Sequence, residues 1–172
     1  MNLHSLRVAA TLAVLAGLCS TNLQAAPACS LDALRALAPE GTQLTSAKRV
    51  NDDKLAFCQV EGTMALPGNR ERFRLGLPEQ WNGKFLFEAT GGGAGVLVDV
   101  GLGARRGYAT ATTDTGHVGN PGEFDFWLDK SKRAGWIHDG VHIATVNAKT
   151  MVASYYRRAP AHNLLRGCSN GG

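Results

Sequence analysis

The chain has 172 residues, a formal charge of +4 and 44% hydrophobic residues, the make-up of an ordinary globular domain with room for one core. Its basic residues are scattered (Lys48 and Arg49, Arg70 to Arg74, Arg105 and Arg106, Arg157 and Arg158) and form no stripe, which argues against nucleic-acid binding. Internal repeats and low-complexity segments are absent from the sequence.

The N-terminus stands apart. Arg7 precedes an apolar run over residues 8–19, and a polar stretch and LQAAPA follow. This is the layout of a secretory signal, with cleavage expected after Ala25. The run is too short for a bilayer anchor, and Leu18 before Cys19 does not fit a lipoprotein signal. A buried N-terminal helix is the competing reading of the same run. Residues 1–25 are read as a signal peptide and 26–172 as the exported part, secreted or periplasmic. Export implies an oxidising compartment and disulfides. Without Cys19, the cysteines are Cys29, Cys58 and Cys168. Cys29 and Cys58 can pair, stapling the mature N-terminus to the first strand. Cys168 is then a reactive thiol, the partner of an external group, or the mate of a cysteine beyond this sequence.

In chain order, SLDALRALA places Ser30 as N-cap before Leu31, Leu34 and Leu37 at helical spacing. AFCQVEGTMAL and ERFRLGLP alternate apolar with polar residues and predict two strands joined through PGNR. Asn82 and Gly83 predict a turn, KFLFEA a third strand, and TGGGAG a flexible loop. VLVDVGLGARRG is ambiguous between helix and strand. YATATTD predicts a fourth strand leading into TGHVGNPGEF, a loop rich in Gly, Pro and Asn. A long helix is expected over 139–156, with Val141, Ala144, Ala148, Met151, Val152 and Tyr155 on one face. HNLL predicts a short last strand running into RGCSNGG. Strands alternating with helices in the second half point to a parallel α/β sheet, which needs helices on both faces. With its last strand at the chain end, the architecture reads as unfinished.

Gly167-Cys168-Ser169-Asn170-Gly171 has the spacing G-x-S-x-G, a strand-to-helix turn that lifts a serine hydroxyl above the sheet edge. A Gly/Ser-rich turn is the plain alternative. The helix and strand just before it favour the nucleophile. Such a site needs an oxyanion hole, one donor being the N–H after the nucleophile, here Asn170, and the other coming from a loop after the third strand. Gly91 to Gly93 supply that loop, with Gly92 or Gly93 as the donor. No Gly-Lys-Ser/Thr follows, so a phosphate loop is excluded. The glycines of GLGARRG do not match a dinucleotide fingerprint and read as a turn between a helix and the fourth strand.

A second chemistry is conceivable in HDGVH, where His138 and His142 stand four apart as in zinc proteases. Asp139 is shorter than the usual Glu, Gly140 loosens the helix, and no third ligand stands out. The plain reading is that Asp139 caps the helix and His142 packs on it. His117 is not expected as the catalytic base, because the elbow's partners follow the serine along the chain. His117 and Asp114 are read as shaping the loop after the fourth strand.

Together these pieces resemble the tannase and feruloyl esterase family of α/β-hydrolases over residues 29–172. WNGKFLFEATGGGAG resembles the family's strand and oxyanion loop, RRGYATATTDTGH its fourth strand, VHIATVNAKTMVASYYRRAP its helix before the elbow, and GCSNGG its nucleophile motif. The resemblance implies an α/β-hydrolase fold with Ser169 as nucleophile, acting on esters of feruloyl or galloyl type through an acyl-enzyme. It also implies a Cys29–Cys58 disulfide, and a Cys168 disulfide to a cysteine beside the catalytic histidine. The acid, that histidine and the substrate-binding lid, in which calcium is often found, are not in this sequence. The expectation is therefore an N-terminal part, truncated at the elbow, inactive alone and holding no cofactor or metal. Its partner in the full-length enzyme is a small aromatic ester, with neither nucleic acid nor, after signal cleavage, a membrane. The alternative is a non-catalytic exported binding module or an esterase remnant.

Overall fold

The computed structural model describes residues 27–51 and 56–172, so the expected signal over 1–25 lies outside the described residues. Six strands form one mixed sheet in the order β1-β2-β3-β5-β4-β6. The strands are β1 (Thr42–Val50), β2 (Phe57–Leu66), β3 (Asn69–Pro78), β4 (Lys84–Glu88), β5 (Ala109–Thr113) and β6 (His162–Arg166). The β1–β2, β2–β3 and β3–β5 pairs are antiparallel, whereas β5–β4 and β4–β6 are parallel.

The β2–β3 hairpin follows from alternation. Cys58, Val60, Met64 and Leu66 of β2 are buried, as are Phe73, Leu75 and Leu77 of β3. Leu66 pairs with Asn69, leaving Pro67 and Gly68 as the turn, with Gly68 at φ +70°. The strand before it, β1, has no counterpart in the sequence expectations. It is an edge strand burying only Leu44 fully, and Lys48 and Arg49 break its apolar alternation.

The helices are α1 (Leu31–Arg35), α2 (Gly101–Ala104), α3 (Lys130–Ala134) and α4 (Gly140–Tyr156). Ser30 caps α1 by accepting the Ala33 N–H, as its sequence implies. α4 buries Ala144, Ala148, Met151, Val152 and Tyr155 against Val60, Phe73, Leu75, Phe85 and Phe87. Burying one such large apolar side chain contributes roughly 1.5–3 kcal/mol. On the other face α2 lies so close that a Cβ on Gly76 would stand 3.1 Å from Val100 and 3.2 Å from Ala104. The GLGA of the expected turn is thus itself this short helix.

Asp139 is not a helix cap. It has helical dihedrals and caps nothing with its side chain, because helix runs on from Lys130 through a wide, π-type turn over Gly135–Asp139. The cap is Asp129, which accepts from the Ser131 and Lys132 N–H groups. Cys29 and Cys58 form a disulfide, joining the segment before α1 to β2. β6 is exposed along its whole length, Leu164 and Leu165 included, beside the well-covered β4. None of the described helices is long and apolar enough to cross a membrane.

One buried group makes stability depend on pH. Glu71 on β3 is fully buried, accepts a hydrogen bond from the Thr113 hydroxyl, and has no partner for Oε1 among the described residues. Burial pushes its carboxyl from 4.5 up to about 8 despite the Thr113 bond, with Asp114 and Asp139 adding to the rise. The folded state therefore holds this proton more tightly than the unfolded chain. Stability is full below the unfolded value and is lost as pH rises through about 8. Urea unfolding between pH 5 and 9 is expected to show a loss on the order of 4 kcal/mol, at about 1.4 kcal/mol per pKa unit, that Glu71→Gln abolishes. Identical pH profiles for the two proteins would contradict this.

Candidate active site

The site is built where β6 ends. The Ala89 N–H donates to the Arg166 carbonyl at 2.9 Å, and the Arg166 guanidinium reaches Glu88 at 2.7 Å, so β6 is tied to the end of β4 just before the turn. The Glu88 side chain is 7% exposed and Arg166 54%, which gives the pair one buried and one solvated partner. The second Glu88 oxygen is buried without a partner among the described residues.

Beyond Arg166 the chain turns sharply. Cys168 is extended, Ser169 takes φ +56°, and the Gly171 N–H closes back on the Cys168 carbonyl at 3.0 Å. A left-handed serine is unusual, because its Cβ crowds the following carbonyl. The flanking glycines are required by contact. A Cβ on Gly167 would fall 1.7 Å from the Gly171 carbonyl oxygen, and one on Gly171 would fall 2.8 Å from that of Ala89. Ser169, Asn170 and Cys168 are exposed, Cys168 as a free thiol. Among the described residues no hydrogen bond joins the Ser169 hydroxyl to an imidazole or a carboxylate.

The glycine loop after β4 reaches this turn. A Cβ on Gly91 would stand 2.6 Å from the Cys168 carbonyl oxygen and 3.7 Å from the Ser169 Cβ. The glycine against the serine is therefore Gly91, one position before the pair singled out as donors. Gly92 is at φ +60°, and the Gly93 N–H is already committed to the Pro121 carbonyl at 2.6 Å.

The loop after β5 buttresses the glycines from the far side. Asp114 is buried and accepts from the Arg72 backbone N–H at 2.9 Å and guanidinium at 2.6 Å, and from the Gly116 N–H at 3.0 Å. His117 is buried, stacks on Phe126 with ring centroids 4.0 Å apart, and has no hydrogen-bond partner for either ring nitrogen among the described residues. Burial lowers its pKa, which the Gly93 backbone and the Asp114 charge oppose, so the site disfavours the imidazolium form. His117 and Asp114 thus shape this loop, as their position in TDTGH implies.

His138 and His142 stack at 5.1 Å on the exposed side of the helix and line a groove of about 490 Å³ with Phe87, Trp136, Leu165 and Asn170. Among the described residues no group of three or more His, Cys, Asp or Glu side chains is placed to hold a metal ion. A further participant that the sequence reading missed is Trp136, whose indole N–H donates to the Gly92 carbonyl at 2.9 Å.

A helix, a parallel strand and a left-handed serine between close-packed glycines are arranged as in the α/β-hydrolase fold. Feruloyl esterase B from Aspergillus oryzae shares the fold, with a TM-score of 0.67 at 21% identity over 80% of this chain and 31% of that one. The family model for tannase and feruloyl esterase matches residues 58–172, and the chain belongs to that family. It is 34% identical over 140 residues to an uncharacterized esterase of Xanthomonas campestris pv. campestris, covering 78% of this chain and 23% of that protein. It is 33% identical over 131 residues to a probable feruloyl esterase of Arthroderma benhamiae, covering 67% and 24%. A mono(2-hydroxyethyl) terephthalate hydrolase of Piscinibacter sakaiensis matches at 31% over 137 residues, covering 67% and 23%. The chain spans about a quarter of the length of these curated relatives.

The strain at Ser169 has a measurable consequence. Ser169→Gly is expected to be more stable than Ser169→Ala by about 1 kcal/mol, because only the alanine keeps a Cβ at positive φ. Denaturant unfolding of the two variants checks this, and equal midpoints would remove the left-handed turn from the description.

Proposed function

We propose that the protein is a serine carboxylic-ester hydrolase acting on esters of aromatic acids, of feruloyl or galloyl type, with Ser169 as nucleophile. The observation that carries this reading is the left-handed, exposed Ser169 at the end of a parallel strand, with the glycine loop of β4 against it. Family membership and the curated esterase relatives support the same chemistry.

In the proposed reaction Ser169 Oγ attacks the ester carbonyl carbon as an imidazole takes its proton. Backbone amides of Asn170 and of the glycine loop hold the oxyanion. Collapse expels the alcohol, which receives that proton, and leaves the acyl-enzyme. A water molecule, deprotonated by the same imidazole, attacks the acyl carbon; the bond to Ser169 Oγ breaks, Oγ takes that proton back, and the acid is released. The imidazole and its carboxylate partner are assigned to sequence outside this chain, as is a cysteine pairing with Cys168. The calcium that the family resemblance places in the lid finds no cluster of three ligands among the described residues and enters no step. Residues 1–25 serve as an export signal and 26–172 as part of the catalytic domain, in the oxidising compartment that the Cys29–Cys58 disulfide suits.

This reading makes a two-sided prediction. The 172-residue chain alone is expected to hydrolyse chromogenic aryl esters no faster than its Ser169→Ala variant, since Ser169 has no base within hydrogen-bonding reach among the described residues. The protein expressed from its complete coding frame is expected to hydrolyse them and to lose that activity in Ser169→Ala. Activity of the complete protein that survives the substitution would refute Ser169 as nucleophile, and no activity on any aryl ester would favour a binding module.

A further inference from the structure

The glycine loop is held at a single peptide unit. The Gly92 carbonyl accepts the Trp136 indole N–H at 2.9 Å, and the Gly93 N–H donates to the Pro121 carbonyl at 2.6 Å. These groups are the two ends of the planar Gly92–Gly93 peptide, so that plane cannot turn over without breaking both bonds. The Pro121 carbonyl closes this side of the loop, for a Cβ on Gly92 would meet it at 2.3 Å. Further along, the Ala94 N–H donates to Gly91 at 3.2 Å and the Gly95 N–H to Asp114 at 3.3 Å. Among the described residues the Gly91 N–H also makes no hydrogen bond, and from Gly92 to Gly95 only the Gly92 N–H makes none. It also follows directly on Gly91, the residue packed against Ser169.

Trp136 is itself well fixed. Its ring meets Trp127 edge-on with centroids 5.5 Å apart and lies 5.9 Å from Phe126. It sits in the wide turn before α4, where a Cβ on the neighbouring Gly135 would fall 2.4 Å from the Thr115 carbonyl oxygen. The helix, the loop after β5 and the glycine loop thus converge on one indole.

We infer that Trp136 is a positioning residue of the active site: with Pro121 it clamps the Gly92–Gly93 peptide, which withdraws the Gly93 N–H from catalysis, so that of these two glycines it is Gly92 whose N–H serves as an oxyanion donor. The inference rests on the esterase reading above, and it selects between the two glycines that the sequence left as alternatives. An indole N–H is a strong directional donor that needs a partner when half-buried, and a carbonyl in this loop satisfies it. Removing one preorganised oxyanion donor typically lowers turnover by about 100- to 1000-fold, so the orientation of this peptide matters to the chemistry.

The test uses Trp136→Phe in the protein expressed from its complete coding frame, which keeps an aromatic ring and deletes the donor. Amide hydrogen exchange followed by NMR is expected to show the Gly93 N–H about tenfold or more slower than that of Gly92 in the native protein. Trp136→Phe is expected to speed Gly93 by a similar factor while the amides of Phe87 and Ala111 stay unchanged. Phenylboronic acid at pH 7 provides the functional arm. Ser169 Oγ bonds to boron, the hydroxyl proton passes to the buffer, and the anionic tetrahedral boronate stands in for the oxyanion. The Gly92 and Asn170 amide protons are expected to move downfield and that of Gly93 to stay. In Trp136→Phe the Gly92 movement should shrink at an unchanged melting temperature, a result that a purely structural role would not produce. Equal exchange at the two glycines, movement of Gly93 in place of Gly92, or an unaltered response in Trp136→Phe would each overturn the inference. Failure of any boronate adduct to form would count against Ser169 as an acyl acceptor, and so against the esterase reading, while the exchange contrast would still decide the clamp.

Discussion

The site depends on how closely the turn after β6 presses on the end of β4. Ala89 meets it twice, its N–H on the Arg166 carbonyl and its own carbonyl against Gly171. Backbone approaching backbone at this distance leaves no room for side chains, and Gly91, Gly167 and Gly171 are the consequence. With the chain so confined, Ser169 is driven into a left-handed conformation that strands and helices do not offer. Register does the rest: β6 lies parallel to β4, with Glu88 opposite Arg166, and that pairing sets the height at which the hydroxyl emerges.

The polar interior is arranged around the same end of the sheet. Asp114 is buried but fully engaged by Arg72 and by backbone N–H groups, so its charge is accommodated. Glu71, the residue just before Arg72 and on the opposite face of the strand, has only the Thr113 hydroxyl and stays protonated near neutrality. The contrast follows from solvent and partners. Arg72 reaches half-exposed space and can bring a cation to Asp114, whereas Glu71 lies beneath the wide turn at the start of α4 and meets no cation among the described residues.

Much of this was legible beforehand. The alternating pattern of residues 57–78 announced a hairpin, and the apolar face of 139–156 matches the buried face of α4, with Val141 half-buried at its edge. The spacing in GCSNGG indicated a glycine-flanked serine turn, because only glycines survive such contacts. β1 was not legible, since an edge strand with one fully buried residue carries almost no periodic signal. The expected helix over 139–156 is α4, but its cap was misread because Asp139 followed by Gly140 imitates one, while the helical turns over 130–139 carry no apolar stripe to reveal them. Trp136 gave no sign of its role. An indole bonded to a carbonyl 44 residues earlier is a product of folding, invisible to local pattern.

By itself the sequence determined which residues could perform the chemistry: a serine between glycines, a glycine-rich loop, and an apolar stripe to carry the strand leading to them. Those are local properties of composition and spacing, governed by the room a Cβ needs and by the period of each element. The tertiary structure alone decided which groups meet. It set Gly91 against Ser169, committed the Gly93 amide to Pro121, and turned the Gly92 carbonyl to Trp136. The physical reason is that a backbone amide's availability depends on every strand and loop brought against it, and those contacts exist only once distant segments are packed together.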